Sequence, residues 1–186
     1  MHGLPDSSHS SLIIDKLWAD PDLVIAYFYF DFRDSAKQTF RGLLCSLIFQ
    51  IATSSTECFG YLKEEHSRPA GVSHPTEKQL FGMLSKLLRI SGRTALIIDA
   101  LDECPVDQRE DLFRFLKDLY GLNLVNLRLL VTTRPEIEIR EYMDHFARTC
   151  SFLNFHNANP HKDDLARHIS TRLSDLNPTS GGRQPE

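Results

Sequence analysis

No long hydrophobic run interrupts this 186-residue chain. Its apolar stretches fall well short of the roughly 20 residues that an apolar helix needs to cross a bilayer. It has no excess of positive charge either. Its 21 Lys and Arg against 25 Asp and Glu leave a formal net charge of -4, which offers no electrostatic footprint for nucleic acid or an anionic membrane. Cysteine is sparse and scattered: Cys45, Cys58, Cys104 and Cys150 contain no C-x-x-C pair, so they read as reduced thiols rather than a disulfide frame or zinc knuckle. The eight histidines show no H-E-x-x-H or other ligand spacing. The opening "MHGLPDSSHSS" is polar and turn-like, unlike a basic-then-apolar secretory leader. No internal repeat of useful period is present. A cytoplasmic protein is the default expectation.

What is there is ordinary in bulk and ordered in detail. Hydrophobic residues make up 41% and charged residues 25%, the balance of a globular domain, and the length suffices for one core. A short helical pattern at 11–18 precedes "DLVIAYFYFDF" (22–32), which is dense in β-branched and aromatic residues and predicts a buried strand. In "KQTFRGLLCSLIFQIAT", Phe40, Leu43, Leu44, Leu47, Ile48 and Ile51 recur at helical spacing. Residues 54–75 read as loop. Thr76 and Gln79 then make a capping box for a helix carrying Leu80, Leu84, Leu87 and Leu88, closed by Gly92. The strand "TALIIDA" follows. Pro105 and Asp107 open another helix, ended by Gly121. "LRLLVTT" (127–133) predicts a further strand stopped by Arg134-Pro135, "EIEIREYMDHF" a helix, and "CSFLNFH" (150–156) another strand. A last amphipathic helix ends near 176, before a low-complexity tail, 177–186, expected to be disordered.

Strands that alternate with helices and are apolar on both faces predict an α/β fold, a parallel sheet with helices on both faces. Ligands of such sheets bind beyond the carboxyl ends of the strands. Asp31, Asp99 and Arg134 fall at such ends. The segment "TALIIDALDEC" (94–104) adds Asp102 and Glu103 to Asp99. A carboxylate there suits magnesium, which keeps its waters and needs only one or two protein carboxylates. A second could orient or deprotonate an attacking water. Equally, Asp99 could end a strand while Asp102 and Glu103 cap the next helix.

"FYFDFRDSAKQT", "IIDALDEC" and "LLVTTRPEIEIR", in this order and spacing, resemble the NACHT nucleotide-binding domains of the STAND class of P-loop NTPases. They are similar in particular to the large fungal group with nephrocystin-type N-terminal modules, over roughly residues 2 to 176. The resemblance implies a three-layer P-loop NTPase-like sheet. It makes "IDALDEC" the Walker B segment, with Asp99 the magnesium-associated acid and Asp102 or Glu103 the residue serving the water. Arg134 becomes the sensor of a terminal phosphate, a task suited to a permanently charged fork.

The phosphate loop is the departure. Its pattern G-x-x-x-x-G-K-S/T cradles phosphates with backbone N–H groups and a lysine. Relatives usually read like "HGIPGCGKT", whereas this chain reads "HGLPDSSHS". Gly3 and Ser10 fit, and Ser10 keeps a hydroxyl that could reach magnesium. Ser8 stands where glycine allows the close backbone approach, and His9 replaces the lysine with a shorter, mostly neutral group. Losing one charge-assisted contact costs about 1.5–3 kcal/mol, roughly ten- to a hundredfold in affinity. The family's first, central strand should lie upstream of His2, so the sequence predicts a partial module, 1–176. Two functions follow. One is a truncated or degenerate signalling and interaction module, with protein partners or self-association and little or no nucleotide binding. The other is a Mg-dependent ATP or GTP switch whose slow hydrolysis controls oligomerisation. A third, plainer outcome is a fragment whose exposed strand edges favour aggregation.

Overall fold

The computed structural model describes residue 14 and residues 17–34, 37–67 and 74–144. Packing divides the chain into two units, Met1–Ala19 with Leu153–Glu186, and Asp20–Phe152. In the first, the Trp18 amide donates to the Ile14 carbonyl at 2.9 Å, one helical turn. Among its described residues the second holds a three-stranded parallel sheet in the order β1 (Val24–Tyr29), β2 (Thr94–Asp99), β3 (Leu127–Val131). Val24 pairs with Thr94 and Tyr29 with Asp99, and Ile98 pairs with Val131. All of β2 is buried, the burden of a central strand, and its Val/Ile/Leu-rich run is the sequence form of that burial.

β1 is shorter than the run 22–32. The Leu23 amide turns back to the Asp20 carbonyl (3.2 Å). At the other end Asp31 starts a turn, its carboxylate accepting from the Arg33 amide (2.9 Å) and its carbonyl from the Asp34 amide (3.0 Å). Helix α1 (Phe40–Ala52) begins at Thr39, whose hydroxyl accepts from the Gly42 amide, satisfying a donor that the helix start leaves unpaired. Helix α3 (Glu77–Ile90) carries the expected capping box of Thr76 and Gln79, and Gly92 follows it with φ +73, a conformation that glycine adopts freely.

One expectation needs correction. Residues 56–67 are not loop but helix α2 (Thr56–Ser67), begun by Ser55, whose hydroxyl accepts from the Cys58 amide (3.1 Å). Helix α4 (Val106–Gly121) ends at Gly121, as the sequence predicts. Asn123 takes the positive φ of 51, a role asparagine tolerates. Helix α5 (Ile137–Asp144) matches the pattern in "EIEIREYMDHF". The strand expected at 150–156, the last helix, the tail and the segment at 1–13 lie outside the described residues.

Leu96 and Ile98 project from one face of β2 into a core shared with Ala26 and Phe28 of β1, Leu44 and Leu47 of α1, Leu84 and Leu88 of α3, and Leu112 and Phe115 of α4. Phe115 meets Phe40 and Phe81 edge-on, with ring centroids 5.6 and 5.9 Å apart, a favoured aromatic geometry. A strand order that steps steadily in one direction sends right-handed crossovers over one face, so α1, α3 and α4 share a side. Ala95 and Ile97, on the other face of β2, are buried as well. Both sides of the central strand are therefore covered, and the α/β character has the form of a P-loop-like three-layer fold.

Candidate functional site

The parallel sheet brings the carboxyl ends of β1, β2 and β3 together, and with them Asp31, Asp99 and the loops that carry Asp102, Glu103 and Arg134. Immediately after Asp99 the backbone turns through Ala100 at φ 55, a left-handed conformation that costs a non-glycine residue roughly 1 kcal/mol. The Ala100 amide donates to the Thr132 hydroxyl (3.1 Å) and the Leu101 amide to the Thr132 carbonyl (3.0 Å). The turn is thus held by β3's continuation, and a one-turn 3-10 helix, Leu101–Glu103, follows it.

Each acid of this segment is engaged by the protein itself. Asp99, nearly buried, accepts through Oδ1 from the Thr132 hydroxyl. The Asp102 side chain is only 7% exposed, and its Oδ1 accepts from the Arg134 amide (2.9 Å) and, at a weak 3.4 Å, from the Thr133 hydroxyl. The Arg134 guanidinium lies 3.6 Å from Asp102 Oδ2 but is 72% exposed, so water screens that pair heavily. Glu103 turns the other way, where its Oε2 accepts from the Phe32 amide (3.1 Å) on the loop after β1. The three carboxylates therefore tie the β2 loop to both neighbouring loops.

Among the described residues no set of three His, Cys, Asp or Glu side chains is grouped to hold a metal ion. No buried side-chain nitrogen or oxygen there lacks a hydrogen-bond partner. Asp31 forms a fork with Arg33, at 2.9 Å to Nε and 3.0 Å to Nη2. That side-chain hydrogen bond, aided by the Arg33 amide, lowers the Asp31 carboxyl from 3.8 to about 2. Gly3, Ser8, His9 and Ser10 lie outside the described residues.

The residues that the sequence reading passed over are Thr132, Arg109, Glu136 and Glu138. Arg109, one turn into α4, is buried. It donates to the Cys104 carbonyl (3.1 Å), the Asp102 carbonyl (2.7 Å), Glu136 (2.6 Å) and Glu138 (3.2 Å). Burial opposes its charge, yet the hydrogen bonds and the negative charges of Glu136 and Glu138 together outweigh burial and raise its pKa. Beside it, burial pushes the Cys104 thiol up to about 11, with Arg109 offsetting part of the effect. Helix periodicity places Arg109 among polar neighbours and carries no sign of this role. The two glutamates that follow Arg134-Pro135 were the available hint.

Fold and site together define an α/β domain with an acid- and arginine-bearing edge at the carboxyl ends of a parallel sheet. Residues 5–134 match the family described as Nephrocystin 3, N-terminal, and the chain belongs to that family. No curated protein and no solved structure matches the chain. The matched span includes Asp99, Asp102, Glu103 and Arg134, and it also covers Ser8, His9 and Ser10.

Proposed function

We propose that the chain is a NACHT-type module of the STAND class of P-loop NTPases, of the kind found in fungi, with a degenerate phosphate loop at residues 3–10. It acts in the cytoplasm as a signalling or interaction module, through protein partners or self-association, and binds nucleotide weakly or not at all. The observation that carries this reading is the use of the acids. Asp99, Asp102 and Glu103 serve as acceptors for Thr132, Arg134 and Phe32, so they hold three loops in one arrangement. Such a braced edge suits a module that presents a fixed surface. The net charge of -4 argues against nucleic acid as the partner. Among the described residues, no helix is long and apolar enough to cross a membrane.

A second reading, a Mg-dependent ATP or GTP switch, draws on the exposed guanidinium of Arg134, which is open to a phosphate. Magnesium fits the donor chemistry in kind, since the Asp99 carboxylate and the Ser10 hydroxyl are hard oxygen ligands. Bound at Asp99, the ion would neutralise phosphate charge while Arg134 held the terminal phosphate. Asp102 and Glu103 each accept a backbone donor through one oxygen, so either would orient water through the other.

Titration of fluorescent Mg–ATP into the chain and into a Ser8→Gly/His9→Lys variant tests the reading. Weak or absent binding that improves about ten- to a hundredfold in the variant is expected, the worth of a restored charge-assisted contact. Tight binding by the unaltered chain would overturn the proposal, and an unchanged affinity in the variant would show that the fault is not confined to the loop.

A further inference from the structure

Arg109 uses four of the five N–H donors of its guanidinium on partners from two separate loops. Nε and Nη2 hold the carbonyls of Cys104 and Asp102 in the acidic loop, 100–105. Nη1 holds the carboxylates of Glu136 and Glu138, on and just after the arginine loop, 132–136. A guanidinium is planar and rigid, so these four acceptors must keep one relative arrangement for all the bonds to persist. The loops also meet directly, through the Ala100 and Leu101 amides on the Thr132 hydroxyl and carbonyl, and through Asp102, which accepts from the Arg134 amide and weakly from the Thr133 hydroxyl. Glu103 extends the chain of contacts to the Phe32 amide, 71 residues away in sequence.

We propose that Arg109 is a positioning residue that couples the acidic loop to the arginine loop, so that Asp102, Glu103 and Arg134 are presented as one body and are released together. Neither loop moves alone: displacing Arg134 strains Asp102, and freeing Glu136 and Glu138 leaves the Arg109 charge buried without its carboxylates, so it must draw back from the acidic-loop carbonyls. The buried end of this clasp is Arg109, at 8% side-chain exposure, while its outer ends, Glu136 and Glu138, are 43% and 56% exposed. A change at the two glutamates is therefore passed to the acidic loop by Arg109, beside the direct contacts that Thr132 and Arg134 make with that loop. The coupling is a property of the protein alone and stands whether or not a nucleotide binds.

Amide hydrogen exchange of the full chain, compared with a Glu136→Ala/Glu138→Ala variant, tests it. The glutamates make no hydrogen bond to residues 100–105 among the described contacts, so a local role for them would leave that loop unchanged. The coupling predicts that the Leu101, Glu103, Cys104 and Phe32 amides exchange roughly tenfold faster or more, as loss of charge-assisted bonds implies, while the amides of α1 keep their rates. Arg109→Lys should loosen the same set, because a lysine cannot span four acceptors. Faster exchange confined to residues 132–138, or a uniform increase over the whole domain, would overturn the proposal. Should Arg109→Lys fail to fold, the glutamate variant alone decides, since both of its sites are partly exposed.

Discussion

Replacing Asp102 by alanine should destabilise the domain, whereas replacing Arg134 by alanine should not. The Asp102 side chain is 7% exposed, and its principal bond is the 2.9 Å contact from the Arg134 amide. Alanine at 102 removes that acceptor. At 134 it leaves the amide, and so the bond, in place. A hydrogen bond to a charged acceptor contributes about 1.5–3 kcal/mol. The lower half of that range applies, because the Arg134 amide can turn to water once the carboxylate has gone. The guanidinium pair at 3.6 Å adds less than about 1 kcal/mol, being largely solvated. At roughly 2–4 °C per kcal/mol for a chain of this size, Asp102→Ala should lower the unfolding midpoint by about 3–9 °C. Arg134→Ala should change stability by no more than about 0.5 kcal/mol, the usual range for a surface site. Thermal unfolding followed by circular dichroism at neutral pH measures both. The reasoning is refuted if Asp102→Ala melts with the unaltered chain, or if Arg134→Ala costs as much as Asp102→Ala.

Two further outcomes are expected. The Asp31 carboxyl is lowered from 3.8 to about 2 by Arg33, so the stabilisation it brings is complete above the ordinary carboxyl value and is lost as the pH falls towards 2. Carboxyl chemical shifts should show its midpoint near 2 and its return towards 3.8 in Arg33→Ala; an ordinary midpoint in the unaltered chain would contradict the fork. Thiol reagents should label exposed Cys45 in the folded protein and spare Cys58 and Cys104, which are buried, with the Cys104 thiol further suppressed by its raised value of about 11. Mass spectrometry of limited alkylation checks the order, and early labelling of Cys104 would show that the Arg109 region opens readily.

The elements legible in the sequence are those whose local pattern and tertiary environment agree. β2 is buried along its whole length and reads as an unbroken apolar run. In α3 the leucine stripe and the capping box of Thr76 and Gln79 point to the same boundaries. Helix α2 escaped because Cys58 is its only fully buried residue and its glycine and run of charges resemble a loop. Cys58, with Tyr61 and Leu62 packed partly on the core, has the i, i+3, i+4 spacing that would have revealed it. The meeting of Asp99 and the Arg134 loop at one edge was legible, since the parallel order brings the strand ends that carry them together. Its wiring was not. Arg109 takes its carboxylate partners from 27 and 29 residues downstream, and Glu103 meets Phe32 across two strands. Such pairings depend on how crossovers place loops, which residue spacing within one element does not encode.

The central claim is that the acids brace the sheet's carboxyl edge and that nucleotide binds weakly or not at all. Thermal unfolding of the purified chain, with and without millimolar Mg–ADP and Mg–ATP, tests it most directly. The account predicts a cooperative transition whose midpoint is the same in all three samples. A ligand present at a hundred times its dissociation constant would add about 2.7 kcal/mol of stability, which corresponds to a rise of roughly 5–11 °C. A rise of that size, abolished by Asp99→Ala, would contradict the account and make the chain a working nucleotide switch.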